Sequence, residues 1–360
     1  MIKLFEPSIS NREIKAVTNV LKTGFWASGS GINNVKKFEN QFKKYVGSKD
    51  CIAVNSGSAA LHLALSIFNL KNKEVLVPSF TFLSTIHSIV QNNAKPVFVE
   101  IDPSTMCISI DDLKNKITSK TGAILPVHFG GMPANLNEIR QISNQHKIPV
   151  IEDAAHASGT TYKRKKIGSH SEAVCFSFHP VKNLAMPTGG AICLNLSNVK
   201  NSKKILNAKR WCGIEDRDGF SYDCKRIGWN YYMNEISAVI GLEQLSKLDK
   251  MNKIRKNIAK KFYSEINVEN KMPFLESCSY HLYWILVKNR SEFMKKMQSN
   301  GIETGIHYGP VHKMTFYSQK TKKLPLTEQI GKQIVTIPIH ANLKENDIFK
   351  IISCVNKFSK

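Results

Sequence analysis

From residue 51 to residue 194, short apolar runs alternate with stretches that carry a helical pattern. The runs at 51–54, 74–77, 96–100, 123–127, 150–152, 173–177 and 191–194 are too short for helices and are apolar nearly throughout. Between them, 57–65, 84–92 and 136–146 read as helices. A strand that is apolar on both faces needs cover on both faces. Strands of that kind, separated by helices, predict an α/β fold with a mostly parallel, mixed sheet between helical layers.

Before this region, Ser10-Asn11-Arg12-Glu13 is a capping-box pattern that opens a helix to about residue 21. A second helix is predicted over 34–45, from the spacing of Val35, Phe38, Phe42 and Val46. After it, residues 236–248 are strongly apolar, and 250–266 are amphipathic and basic. We place a domain change there, with a large domain over 1–250 and a smaller α+β domain over 251–360. A strand at 283–287 and a helix at 291–299 belong to the smaller one.

Bulk properties narrow the function. No run approaches the roughly 20 apolar residues that span a membrane, and the start has no signal-peptide pattern. The eight cysteines are scattered without a Cys-x-x-Cys pair or a metal-ligand spacing. They read as free, mostly buried thiols in a reducing cytoplasm, with no metal site. The net charge of +23 raises nucleic-acid binding, but the lysines are spread along the chain and no such motif accompanies them. The densest run, Lys163-Arg164-Lys165-Lys166, reads as a solvated hairpin tip.

Ligands of open α/β sheets bind beyond the strand C-termini, and several chemistry-bearing residues fall there. Gly57, Ser58 and Ala59 follow a strand and open a helix, which makes an anion site or an ordinary N-cap. Phe82 follows the next strand and can cover a flat ring or pack in the core. Asp153 ends the strand at 150–152, with His156 three residues on. Ser177 and Lys182 are five residues apart in Ser177-Phe178-His179-Pro180-Val181-Lys182. A lysine that can form an imine, and a carboxylate for a pyridine nitrogen, are a protein's share of pyridoxal phosphate chemistry.

These motifs, in this order, resemble the DegT/DnrJ/EryC1/StrS family of nucleotide-sugar aminotransferases. The likeness runs from about Gly24 to the C-terminus. It rests on Asn55-Ser56-Gly57-Ser58-Ala59-Ala60, Val77-Pro78-Ser79-Phe80-Thr81-Phe82, Pro126-Val127-His128, Glu152-Asp153-Ala154-Ala155-His156, Ser177 to Lys182, Gly228-Trp229-Asn230-Tyr231 and Thr304-Gly305-Ile306-His307-Tyr308. The resemblance implies a fold-type I aminotransferase and a homodimer with shared active sites, using pyridoxal 5'-phosphate. Lys182 matches the Schiff-base lysine, Asp153 the pyridinium partner and His156 a residue near the cofactor. Ser58, Ala59 and Ser177 match phosphate-binding positions, and Phe82 matches the stacking aromatic. Asn230 matches a residue that reaches the phosphate from the partner subunit. Trp26, His307 and Tyr308 fall in segments bordering the sugar-nucleotide site.

Two positions depart from the family's pattern. Thr188 stands where many members carry an acid, and Tyr232 where many carry Arg. The implied reaction moves the amino group of L-glutamate to a nucleotide-linked keto sugar, a 4-keto-6-deoxyhexose first among acceptors. Two rival readings are a 3-dehydratase of the same fold, in which a histidine replaces the lysine, and a non-catalytic binding protein. Lys182 argues against the first, and Lys182 with Asp153 against the second.

Overall fold

Seven strands form one mixed sheet: β1 (Asp50–Val54), β2 (Glu74–Pro78), β3 (Lys95–Val99), β4 (Thr121–Ile124), β5 (Ile151–Asp153), β6 (Ala173–Ser177) and β7 (Gly190–Leu194). The computed structural model describes residues 1–218, 221–318 and 323–359. Two ladders, β3-β2-β4 and β5-β6-β7-β1, join through parallel bridges of Ile124 to Val150 and Val127 to Asp153. Pairing is parallel from β3 to β6, and β7 runs antiparallel to both β6 and β1.

Alternate residues of each strand serve opposite faces, as the pleat requires. Ile52, Val54, Ala173 and Cys175 pack with Leu61 and Leu63 of α3 (Gly57–Leu65) and with Ile86 and Ile89 of α4 (Leu83–Gln91). Cys51, Ala53, Val174 and Phe176 pack on the other face with Phe38 and Phe42 of α2 (Asn33–Val46), which follows α1 (Asn11–Thr23). Both faces are therefore covered, which is why these strands read as unbroken apolar runs.

The helical stretches at 236–248 and 250–266 form one helix of 31 residues, Glu235–Glu265, capped by the Asn234 side chain. No break in the backbone marks residue 250. Met251 of this helix packs into the core beneath the sheet, and Ile258, Ala259 and Phe262 pack into the core of the C-terminal part. There, β8 (Tyr283–Leu286) pairs antiparallel with β9 (Ile334–Ile337). The helices Arg290–Ser299, Pro325–Gln333 and Glu345–Phe358 complete that part.

The basic run does form a hairpin tip, with Thr161 and Tyr162 paired to Lys166 and Lys165. Lys166, however, is not simply solvated: its Nζ sits 3.4 Å from the centre of the Tyr45 ring and 3.0 Å from Asp249. Six cysteines are buried, and Cys212 and Cys224 are exposed. Among the described residues, no helix is long and apolar enough to cross a membrane.

Candidate active site

The C-terminal ends of β1, β2, β5 and β6 open on one cavity of about 390 Å³, within the range of small-molecule sites. Gly57, Ser58, Phe82, Asp153, His156, Ser177, Lys182, His307 and Tyr308 all line it. Chain direction explains the gathering: parallel strands deliver their following loops to the same edge.

At one end lies the N-terminus of α3. The Ser56 hydroxyl caps the helix by accepting from the Ala59 amide at 3.1 Å. Helix geometry leaves the Gly57 and Ser58 amides without intrahelical partners. Ser58 Oγ lies 2.6 Å from Ser84 Oγ. Glycine is needed at 57 for space: a β-carbon there would come within 2.7 Å of the Ser177 β-carbon. Amides, hydroxyls and a helix N-terminus make this end an anion cradle.

The Asp153 carboxylate is buried at the other end. It accepts from Thr85 Oγ1 at 2.7 Å and from the Ala155 amide at 3.0 Å. Burial raises its pKa, and these hydrogen bonds, with the charge of Lys182, offset part of that rise. A cation brought opposite Asp153 would favour its ionised form.

Lys182 is half-buried, its remaining exposure directed into the cavity. Burial pushes its amine down to about 8, against a smaller upward pull from Asp153. Its Nζ lies 3.4 Å from Nε2 of His281. His156 is also buried, and its pKa is held well down, first by burial and then by Lys182 and His307. Nδ1 of His156 accepts from the Gly130 amide at 3.2 Å, so the ring proton is assigned to Nε2, 3.1 Å from the Tyr308 hydroxyl. His307 is pushed down to about 4, chiefly by burial, and its Nδ1 lies 2.8 Å from Thr336 Oγ1. Phe82 is 57% exposed, and its ring centre lies 6.0 Å from that of Tyr308.

Three expected residues lie elsewhere. Ala59 is buried behind the cavity wall, and its amide is committed to Ser56. Asn230 is exposed and meets the rest of the chain through its backbone: its carbonyl accepts from Asn55 Nδ2 at 3.2 Å. Trp26 is 53% exposed, and its indole N–H donates to the Leu21 carbonyl at 3.3 Å. Neither Asn230 nor Trp26 lines the cavity of its own chain. Thr188, in the acid's place, donates its hydroxyl to the Asn55 carbonyl. Sequence reasoning did not single out Phe5 or His281, which come from distant parts of the chain, or Thr85, three residues beyond Phe82.

The model of the DegT/DnrJ/EryC1/StrS aminotransferase family matches residues 7–356. The chain belongs to that family. The match begins ahead of Gly24, where the likeness in motifs starts. The protein is 31% identical to the spore coat polysaccharide biosynthesis protein SpsC of Bacillus subtilis, over 98% of this chain and 96% of SpsC. It superposes on the sugar aminotransferase CalS13 of Micromonospora echinospora with a TM-score of 0.92 and 27% identity, over 99% of this chain and all of CalS13. PseC of Helicobacter pylori, an aminotransferase involved in pseudoaminic acid biosynthesis, gives 0.92 at 26% identity, over 99% and 98% of the two chains. This is an enzyme of the pyridoxal-phosphate-dependent sugar aminotransferases. The donor set suits that cofactor: an anion cradle, a buried carboxylate and a lysine amine line one cavity.

Proposed function

We propose that the protein transfers the amino group of L-glutamate to a nucleotide-linked keto sugar, releasing 2-oxoglutarate. The acceptor in this reading is a 4-keto-6-deoxyhexose on a nucleoside diphosphate. The observation that carries it is the pairing of Lys182 and Asp153 on one cavity, with the pKa of the lysine amine lowered to about 8. A lysine with its ordinary pKa would be almost wholly protonated at pH 7 and a poor nucleophile.

Each residue has a part. The Gly57 and Ser58 amides, with the Ser58 and Ser177 hydroxyls, would hold the phosphate of pyridoxal phosphate. Asp153 would face the ring nitrogen and keep it protonated. When bound, the cofactor supplies an electron sink that stabilises a carbanion. Lys182 Nζ, which lines the same cavity, would take up a proton and return it. Neutral His156 would stand beside the ring, fixed by Gly130 and Tyr308, and Phe82 would cover its face. Lysine at 182 supports transamination over the dehydratase reading, which needs histidine there.

A second copy of the chain completes the reading. Ile9, Ile14, Leu21 and Trp26 leave large apolar side chains exposed on the N-terminal segment, as an interface would. Asn230, turned away from its own cavity, is then free to serve the partner's, and Trp26 to border the sugar. We read the chain as two units, 1–250 and 251–360, sharing the helix Glu235–Glu265, at work in the cytoplasm. The test is a panel of keto sugar nucleotides supplied with L-glutamate, read by 2-oxoglutarate release and product mass. No amination of any member of the panel would overturn the proposal.

A further inference from the structure

His281 stands just outside the cavity, and the functional reading gives it no task. It precedes β8, and its backbone amide donates to the Gly130 carbonyl at 2.9 Å. The ring is buried between two others: Phe5 stacks on it at 5.5 Å with planes 19° apart, and His156 lies 4.4 Å away. That packing leaves the imidazole little freedom. Its Nε2 edge meets Lys182 Nζ at 3.4 Å. His281 does not line the cavity, so anything it does to a ligand passes through the lysine.

We propose that His281 is a positioning residue: its neutral imidazole accepts a hydrogen bond from Lys182 Nζ and aims the amine into the cavity. This rests on Lys182 being the reactive amine. An amine nitrogen has two N–H bonds and one lone pair in fixed tetrahedral directions. Committing one N–H backwards to Nε2 confines the lone pair to the two remaining directions, both away from His281. A freely rotating amine on a four-carbon stem would lose that orientation.

The surroundings fit a neutral imidazole. Burial and the charge of Lys182 both hold His281 well below the ordinary histidine range, with His156, His307 and Arg255 adding to the effect. The other titratable groups that feel the charge of Lys182 are Asp153 and His179. Asp153 is the acid among these neighbours, and it lines the cavity.

The contact is read in the cofactor-free protein by reductive methylation of Lys182 across a pH series, followed by peptide mass. A neutral acceptor stabilises the ammonium, so His281→Leu and His281→Phe should lower the pKa of Lys182. Labelling at pH 7 should then rise by about three- to tenfold, the worth of one hydrogen bond to a charged group. In the loaded enzyme kcat should fall about tenfold while KM for the sugar stays within about twofold. His281→Gln, which restores an acceptor, should recover much of both. A folded Leu or Phe variant with an unchanged labelling profile would overturn the proposal. Should neither fold, the reciprocal measurement decides: in Lys182→Ala the His281 ring should protonate at higher pH, and an unmoved ring titration refutes the contact. Labelling needs neither cofactor nor substrate. It therefore separates failure here from failure of Lys182 as the reactive amine, which full turnover by Lys182→Ala would show.

Discussion

Burial holds the Lys182 amine at about 8, and this has a measurable cost in the protein without cofactor. Between that value and the ordinary lysine value, the unfolded chain binds the extra proton, so stability rises with pH across the window. Below about pH 8 the penalty is complete, at most about 3 kcal/mol. Lys182→Met should therefore stabilise the cofactor-free protein at pH 7, by less than that limit because Asp153 loses its opposite charge. The gain should fade as pH rises towards the ordinary lysine value. Urea titrations at several pH values check this, and a gain independent of pH would contradict it. In the loaded enzyme, Lys182→Ala should lose several orders of magnitude in steady-state turnover while remaining folded. Asp153→Asn should keep the cofactor bound but slow the half-reaction with glutamate by roughly 100-fold or more, since an amide cannot hold the ring proton. A loss under about threefold would reduce Asp153 to a local structural role. These two residues were legible because a motif surrounds each. Phe5 and His281 were not, because only chain closure brings them to Lys182.

At the scale of elements, the turn from β1 into α3 joins fold and site most directly. Gly57→Ala would push a methyl group into the Ser177 side chain, within 2.7 Å. The wall must shift where the phosphate would sit. We expect pyridoxal phosphate affinity to fall tenfold or more, together with a stability loss of about 1–3 kcal/mol from overpacking, measured by cofactor titration and a melting curve. Ser56→Ala should cost about 1 kcal/mol of stability through the lost cap. The strands were readable because burial on both faces leaves unbroken apolar runs. Their order was not, and neither was the reversal of β7, since partner choice depends on packing between distant segments. The helix Val199–Arg210 escaped for a local reason. Its sequence is mostly polar and basic, and among its residues only Leu206, Ala208 and Arg210 are buried, so it shows little apolar periodicity.

For the molecule as a whole, the proposal of shared sites makes a prediction that neither parent protein can mimic. Mix Lys182→Ala protein with Asn230→Ala protein and allow the subunits to exchange. Each heterodimer then holds one doubly damaged site and one intact site, so activity should rise above that of either parent. An activity equal to the average of the parents, with exchange proven, would mean that Asn230 serves its own subunit or none. The way residues 2–5 meet residues 302 and 303 has a different consequence. Leu4 donates its amide to Glu303, 299 residues away in sequence, and Ile2 bridges to Ile302. Phe5, beside them, reaches its place against His281 and His307 only when those contacts exist. During synthesis, residues 2–5 must therefore wait until residues 281–307 have been made. A nascent chain halted before residue 281 would hold Lys182 and Asp153 but present its N-terminal arm to any protease at hand.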